Sequence, residues 1–223
     1  MDKPLSLVFG LSADPVHIGH EASLVAAIGY LKKQANLRRV IIVPVYAPNL
    51  IAGKQGPKAT YTQRLHMCQL MARKLRQKHN IDITVSRIEE RNYHLDHRLS
   101  YTYDTLDSLN QSALSLLVNA DHFSGIKPKF EQWYRWRDII QEYTLVICQR
   151  PGYSVNMDFI EQLQTHSDKS IHVLPDPMPN VSSTLIRNKI KDNPYNIDLK
   201  KILDPKIHQY IDKNHIYYSY FSA

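Results

Sequence analysis

A chain of 223 residues, 43% hydrophobic and 22% charged, has the length and composition of one large α/β domain with a buried core. Its formal net charge of +7 points to anionic partners, but the lysines and arginines are scattered as on solvated helix faces, without the single stripe or reader motif of a nucleic-acid-binding protein. No signal-peptide pattern or bilayer-length apolar run occurs, and Cys68 and Cys148 lack metal-ligand spacing, so a cytoplasmic protein with reduced thiols and no membrane contact is expected.

The apolar run at 5–9 reads as a strand that ends at Gly10 and leads through Leu11-Ser12-Ala13-Asp14-Pro15-Val16 into His17-Ile18-Gly19-His20. A helix is expected over 17–33, which sets both imidazoles on one face of its first turn. The helix-start amides there lack partners and favour an anion, and Gly19 allows a ligand to approach the backbone closely. A strand at 40–43 precedes a long connection, 47–59, and a helix at 60–78. A strand at 81–85 precedes a second long connection, 89–99, and a helix at 101–110. The pattern continues with strands at 114–118, 145–148 and 171–174, and helices at 133–140, 157–165, 183–191 and 205–214. Near-continuous apolar strands with helical crossovers predict a doubly wound parallel sheet, Rossmann-like, in one domain over 1–223 whose C-terminal part, about 183–216, is helical. Ligands of such sheets bind at the carboxyl ends of the strands, where the long connections lie.

The chain has no G-x-G-x-x-G, and Gly53-Lys54-Gln55-Gly56-Pro57-Lys58 lacks the order of a P-loop. His94-Leu95-Asp96-His97 shows no third distant ligand, so no metal centre is expected. Val181-Ser182-Ser183-Thr184-Leu185-Ile186-Arg187 opens a helix with three hydroxyls and an arginine one turn on. Taken alone, it reads equally as a helix cap with an exposed arginine or as an anion clamp.

Together, H-x-G-H at 17–20 and S-S-T-x-x-R at 182–187 resemble the signatures of the nucleotidyltransferase superfamily. Within it, the chain is similar to the bacterial nicotinate (nicotinamide) mononucleotide adenylyltransferases. Ser100-Tyr101-Thr102 with Thr105-Leu106 matches S-Y-T-x-x-T-L, and Asp121 follows a strand as the aspartate of G-x-D does. Trp133-Tyr134-Arg135-Trp136 and Arg150-Pro151-Gly152-Tyr153 match a tryptophan helix and an R-P-G-Y loop. Val43-Pro44 through Lys54, then Arg64-Leu65-His66-Met67, match P-x-x-x-P…K and R-x-x-M.

The resemblance implies an enzyme of NAD biosynthesis that joins a pyridine mononucleotide to the AMP moiety of ATP and releases pyrophosphate. Its partners would be ATP and the mononucleotide, with Mg²⁺ held largely by substrate oxygens and water. Negative charge develops on the α-phosphoryl group and the departing pyrophosphate, so catalysis is positioning plus electrostatics. The resemblance implies that Gly10, Leu11 and Ser12 offer backbone amides to phosphate, while His17 and His20 contact the triphosphate. Ser182, Ser183, Thr184 and Arg187 would clamp its β- and γ-phosphates, with Lys54 on a phosphate. Trp133 would stack on the pyridine ring, with Tyr101 and Thr102 alongside it. Asp121 would take a ribose hydroxyl or hold the substrate loop, and Arg150 would bind phosphate or pair with a carboxylate.

The chain departs from the family pattern at Ala13, where a phenylalanine is usual, at Asn119, where glycine is usual, and at 49–54, which is not P-x-H-K. These departures keep two alternatives open: a sister transferase for phosphopantetheine or a CDP-alcohol, and a nucleotide-binding protein without turnover. The C-terminal Tyr217-Tyr218-Ser219-Tyr220-Phe221 is expected either to pack on the domain or to form a homo-oligomer face.

Overall fold

Residues of the first strand, β1 (Leu5–Leu11), alternate between two apolar layers. Leu7, Phe9 and Leu11 enter the core on one face of a sheet, and Val8 enters the core on the other. A strand buried on both faces needs apolar residues at successive positions, which is why this run is continuous rather than alternating. The structure is a computed structural model and describes residues 4–48, 56–111 and 113–218.

After β1 come α1 (Ile18–Gln34), β2 (Leu37–Pro44), α2 (Tyr61–His79), β3 (Asp82–Val85), α3 (Ile88–Asp96) and α4 (Thr102–Ser108). Then follow β4 (Leu114–Asn119), α5 (Trp136–Glu142), β5 (Thr144–Gln149), α6 (Met157–Thr165) and β6 (Ile171–Pro177). The chain continues through α7 (Ser183–Asp192), α8 (Leu199–Ile202) and α9 (Pro205–Lys213). The six strands pair in parallel in the order β3-β2-β1-β4-β5-β6. Strand order therefore reverses between β1 and β4, and a crevice opens there at the carboxyl edge, where such sheets bind ligands.

Helices cover both faces, as the apolar pattern predicts. One layer joins α1, α2 and the C-terminal helices through Leu24, Ile28, Met71, Ile186 and Ile207. The other joins α4, α5 and α6 through Leu106, Ile139 and Ile160. Both cysteines are buried and unpaired with each other, and burial pushes each thiol up to about 12, which keeps it protonated and unreactive. Among the described residues no helix is long and apolar enough to cross a membrane.

Four expectations need correction. The stretch 89–99, expected to be a weakly structured connection, contains α3. Its buried residues are Ile88, Glu89 and Asn92, so polar side chains occupy the inward stripe and the apolar periodicity is missing. Glu89 accepts from the Tyr46 amide and from the Thr105 hydroxyl, both at 2.9 Å, and Asn92 donates to Ser108 at 2.9 Å. These bonds give the helix its inward contacts in place of apolar ones.

The helix expected over 133–140 begins only at Trp136. Trp133 ends a preceding 3-10 turn, Lys129–Gln132, and Arg135 has a left-handed backbone (φ 55°) that separates the two. β2 starts at Leu37, where exposed Arg39 pairs with Asp82 of β3 at 2.7 Å and the polar start conceals the strand. The fourth correction concerns the start of α1 and belongs to the site.

Candidate active site

His17 is not in the first turn of α1 but is its N-cap. Its Nδ1 accepts the Gly19 amide at 3.1 Å, and His20 Nδ1 accepts the His17 amide at 3.3 Å. The two histidines thus form a reciprocal capping box, with imidazole in place of hydroxyl and carboxamide. Two of the amides expected to await an anion, those of His17 and Gly19, are therefore already bonded to the rings.

Because both Nδ1 atoms accept, the hydrogen-bond pattern puts the remaining proton of each neutral ring on Nε2. The rings stack with centroids 3.8 Å apart. Burial, then His20, then the charge of Arg150 push His17 down to about 2. Burial and Arg150 push His20 down to about 4. Near pH 7 both rings are neutral donors.

Gly19 serves this pair directly. A Cβ at position 19 would lie 2.9 Å from His17 Cε1 and 3.1 Å from Val181 Cγ1, so glycine makes room for the imidazole. Ser23, one turn on, donates to the Gly19 carbonyl at 3.0 Å and lies 3.5 Å from the Asn119 side-chain oxygen.

These groups line a cavity of about 560 Å³ at the β1/β4 crevice. Gly10, Leu11 and Ser12 form its floor, and a Cβ at Gly10 would meet nothing within 4 Å. Ser182, Ser183, Thr184 and Arg187 line it from the start of α7, and Thr102, Asp121, Trp133 and Arg150 line it from the elements after β3, β4 and β5. Ala13 takes a left-handed backbone (φ 57°), which glycine adopts at less cost, and its side chain is buried. Neither Ala13 nor Asn119 closes the cavity.

The hydroxyls at the start of α7 are less free than the sequence implies. Ser182 caps α7 by accepting the Leu185 amide at 3.2 Å, and Ser183 donates to the Pro15 carbonyl at 3.0 Å. Ser183 thereby ties the α7 start to the turn between β1 and α1. Arg187 donates to Thr184 Oγ1 at 3.0 Å and to the Asp14 carbonyl oxygen.

Asp121 sits in a 3-10 turn after β4 and lies 3.5 Å from Arg150. Trp133 is half-buried, in an edge contact with His122 at 4.9 Å and a tilted contact with Phe130 at 5.3 Å. Tyr101 packs on Tyr134 at 4.9 Å and is not among the cavity residues, although its neighbour Thr102 is. Lys54 lies outside the described residues.

Two buried polar residues support the cavity: Arg64 stands in the R-x-x-M match, whereas Glu89 carries no local signal in the sequence. Arg64 is 3% exposed and its guanidinium donates to the carbonyls of Ser12, Val45 and Ala59, which fixes the cavity floor to the β2–α2 connection. Glu89 also lines the cavity, and burial raises its carboxyl above the usual range despite its hydrogen bonds. No three His, Cys, Asp or Glu side chains among the described residues form a metal cage. His94 instead faces the Tyr46 hydroxyl and Asp96 pairs with Arg98.

Residues 8–189 match the family model of cytidylyltransferase-like proteins. The chain belongs to the cytidylyltransferase-like family. Among curated members similar to it is the "Probable nicotinate-nucleotide adenylyltransferase" of Pectobacterium atrosepticum, 27% identical, with 96% of this chain and 98% of that protein aligned. A protein of the same name from Escherichia coli O139:H28 is also 27% identical, over 96% of this chain and 99% of its own. Among solved structures, Plasmodium falciparum nicotinic acid mononucleotide adenylyltransferase complexed with NaAD superimposes with a TM-score of 0.71 at 18% identity. That match covers 96% of this chain and 98% of the other, so the family fold extends over nearly the whole protein.

Proposed function

We propose that this chain is a nicotinate-nucleotide adenylyltransferase of NAD biosynthesis, acting as one domain on ATP and a pyridine mononucleotide. The observation that carries the reading is the stacked His17–His20 pair, two neutral imidazoles with Nε2–H donors in a cavity at the switch point of the sheet. The names of the full-length relatives supply the substrate class.

In the reaction, an oxygen of the mononucleotide phosphate attacks the α-phosphorus of ATP, the bond to the β-phosphate bridging oxygen breaks, and pyrophosphate leaves. A phosphate monoester is already ionised near pH 7, so no general base is needed. The histidine donors stabilise charge on the α-phosphoryl group and the leaving pyrophosphate without a proton being transferred. Arg187, held by Thr184 and the Asp14 carbonyl, presents its charge to the outer phosphates from the α7 side. Trp133, which lines the same cavity, offers its ring to the pyridine, and Arg150 adds positive potential near both histidines.

The carboxylates around the cavity do not form a dedicated cation site. Asp121 faces Arg150 and Asp14 is occupied by donors, so Mg²⁺ enters as part of the MgATP substrate.

Pyrophosphate release from MgATP, with nicotinate and nicotinamide mononucleotides compared side by side and phosphopantetheine as control, tests the reading. Turnover is expected with nicotinate mononucleotide; silence with both pyridine nucleotides would overturn it.

Gly19→Ala provides a second test. The added methyl must push the His17 ring aside, and a misplacement of this kind costs about a hundredfold in kcat. An unchanged kcat in a variant with wild-type circular dichroism would separate the position of His17 from catalysis.

A further inference from the structure

Asp14, in the turn between β1 and α1, is 4% exposed and has a donor on every side. Its Oδ2 accepts the Lys58 amide at 2.8 Å and lies 3.4 Å from an Arg187 guanidinium nitrogen. Its Oδ1 accepts the Ala59 amide at 2.9 Å and the Tyr217 hydroxyl at 2.9 Å. Tyr217 comes from beyond α9 at the other end of the chain, and its ring packs against the core layer that holds α1 and α7. Its backbone is left-handed (φ 71°), a costly conformation for a bulky residue that persists only where surrounding contacts enforce it.

We propose that Tyr217 is a positioning residue for the triphosphate side of the cavity, its hydroxyl holding Asp14 so that Arg187 remains turned to the ligand. This assignment rests on reading the cavity as an ATP site. A buried carboxylate divides its charge among its donors. Arg187 is already the ion-pair partner of Asp14 at 3.4 Å, and with the Tyr217 hydroxyl removed more of the carboxylate's charge falls to that guanidinium. A paired arginine–carboxylate geometry is favourable, so Arg187 closes on Asp14 and gives up Thr184 and the cavity. The C-terminal tail thus sets the phosphate clamp through one oxygen.

Calorimetry on the full chain tests this with MgATP and nicotinate mononucleotide titrated separately. Tyr217→Phe keeps the ring and is expected to raise the Kd for ATP about tenfold while leaving that for the mononucleotide within about twofold. Arg187→Lys also weakens ATP binding, and adding Tyr217→Phe to it is expected to cost less than about twofold more, because the two act through one contact. Tyr218→Phe, which removes a tail hydroxyl bonded to Asp212 at 3.0 Å, is expected to change neither Kd.

An unchanged ATP Kd in folded Tyr217→Phe overturns the proposal. So do multiplying effects in the double variant, or equal weakening of both ligands, which would mark a general loosening. If the unsubstituted chain binds ATP but releases no pyrophosphate with a pyridine nucleotide, the proposed reaction fails while this binding cycle still decides the role of Tyr217. If the unsubstituted chain binds no ATP, the cavity reading falls and this assignment with it.

Discussion

Replacing His20 with alanine will lower kcat for pyrophosphate release by about a thousandfold and leave a folded protein. The catalytic part of the loss follows from removing one of two neutral Nε2–H donors from a largely desolvated site, where a preorganised donor is worth far more than in water. The structural part is small. His20 Nδ1 accepts one backbone amide, that of His17, and losing such a capping bond costs about 1 kcal/mol. A domain of ordinary stability, about 5–15 kcal/mol, survives that loss.

His20→Gln separates the two parts. Glutamine at this position of a capping box keeps an acceptor for the His17 amide, so its melting temperature is expected to return to the wild-type value while most of the rate loss remains. Stopped-time pyrophosphate assays and thermal melts on both variants check this. Turnover within about threefold of wild type in folded His20→Ala would remove the histidine pair from the mechanism.

Acid will destabilise the fold through the same pair, beginning near pH 6.5, which is the ordinary histidine value. In the unfolded chain both imidazoles take up protons as the pH falls through that value. In the folded protein they do not, because burial and the Arg150 charge hold His17 at about 2 and His20 at about 4. The unfolded state therefore binds more protons in this window, and stability falls with pH by about 1.4 kcal/mol per unit for each histidine. The His20 contribution is exhausted near pH 4, whereas that of His17 continues toward pH 2.

His17→Asn isolates the effect, since asparagine caps a helix well and does not titrate. Urea unfolding at pH 7, 6 and 5 should show wild-type stability falling more steeply than that of the variant, the gap narrowing by about 2 kcal/mol in all, because the slope approaches about 1.4 kcal/mol per unit only below the ordinary histidine value. Parallel curves would mean that His17 is protonated in the folded state, and the neutral-donor mechanism would have to be abandoned.

The fold was legible because its signals are local. Six apolar runs are bounded by helical patterns, and continuous burial on both faces is written directly into runs such as Leu7-Val8-Phe9 and Leu145-Val146-Ile147. That His17, His20 and Arg187 gather at one cavity was legible for a related reason. His17, His20 and Arg187 lie in short segments that cap helices at strand ends, so spacing along the chain fixes their neighbours.

What could not be read locally are the contacts that hold these segments against one another. α3 buries Glu89 and Asn92, whose partners Tyr46, Thr105 and Ser108 lie elsewhere in sequence, so no apolar periodicity announces it. The His17 and Gly19 amides looked available until folding placed the imidazole Nδ1 atoms on them. The Ser183 hydroxyl donates to the carbonyl of Pro15, 168 positions away, a partner that no local pattern announces. Asp14 meets Tyr217 across 203 positions, and only closure of the whole domain brings those two oxygens within 2.9 Å. Local patterning chose the elements and their chemistry; long-range polar contacts, whose partners are not neighbours in the chain, set how that chemistry is aimed.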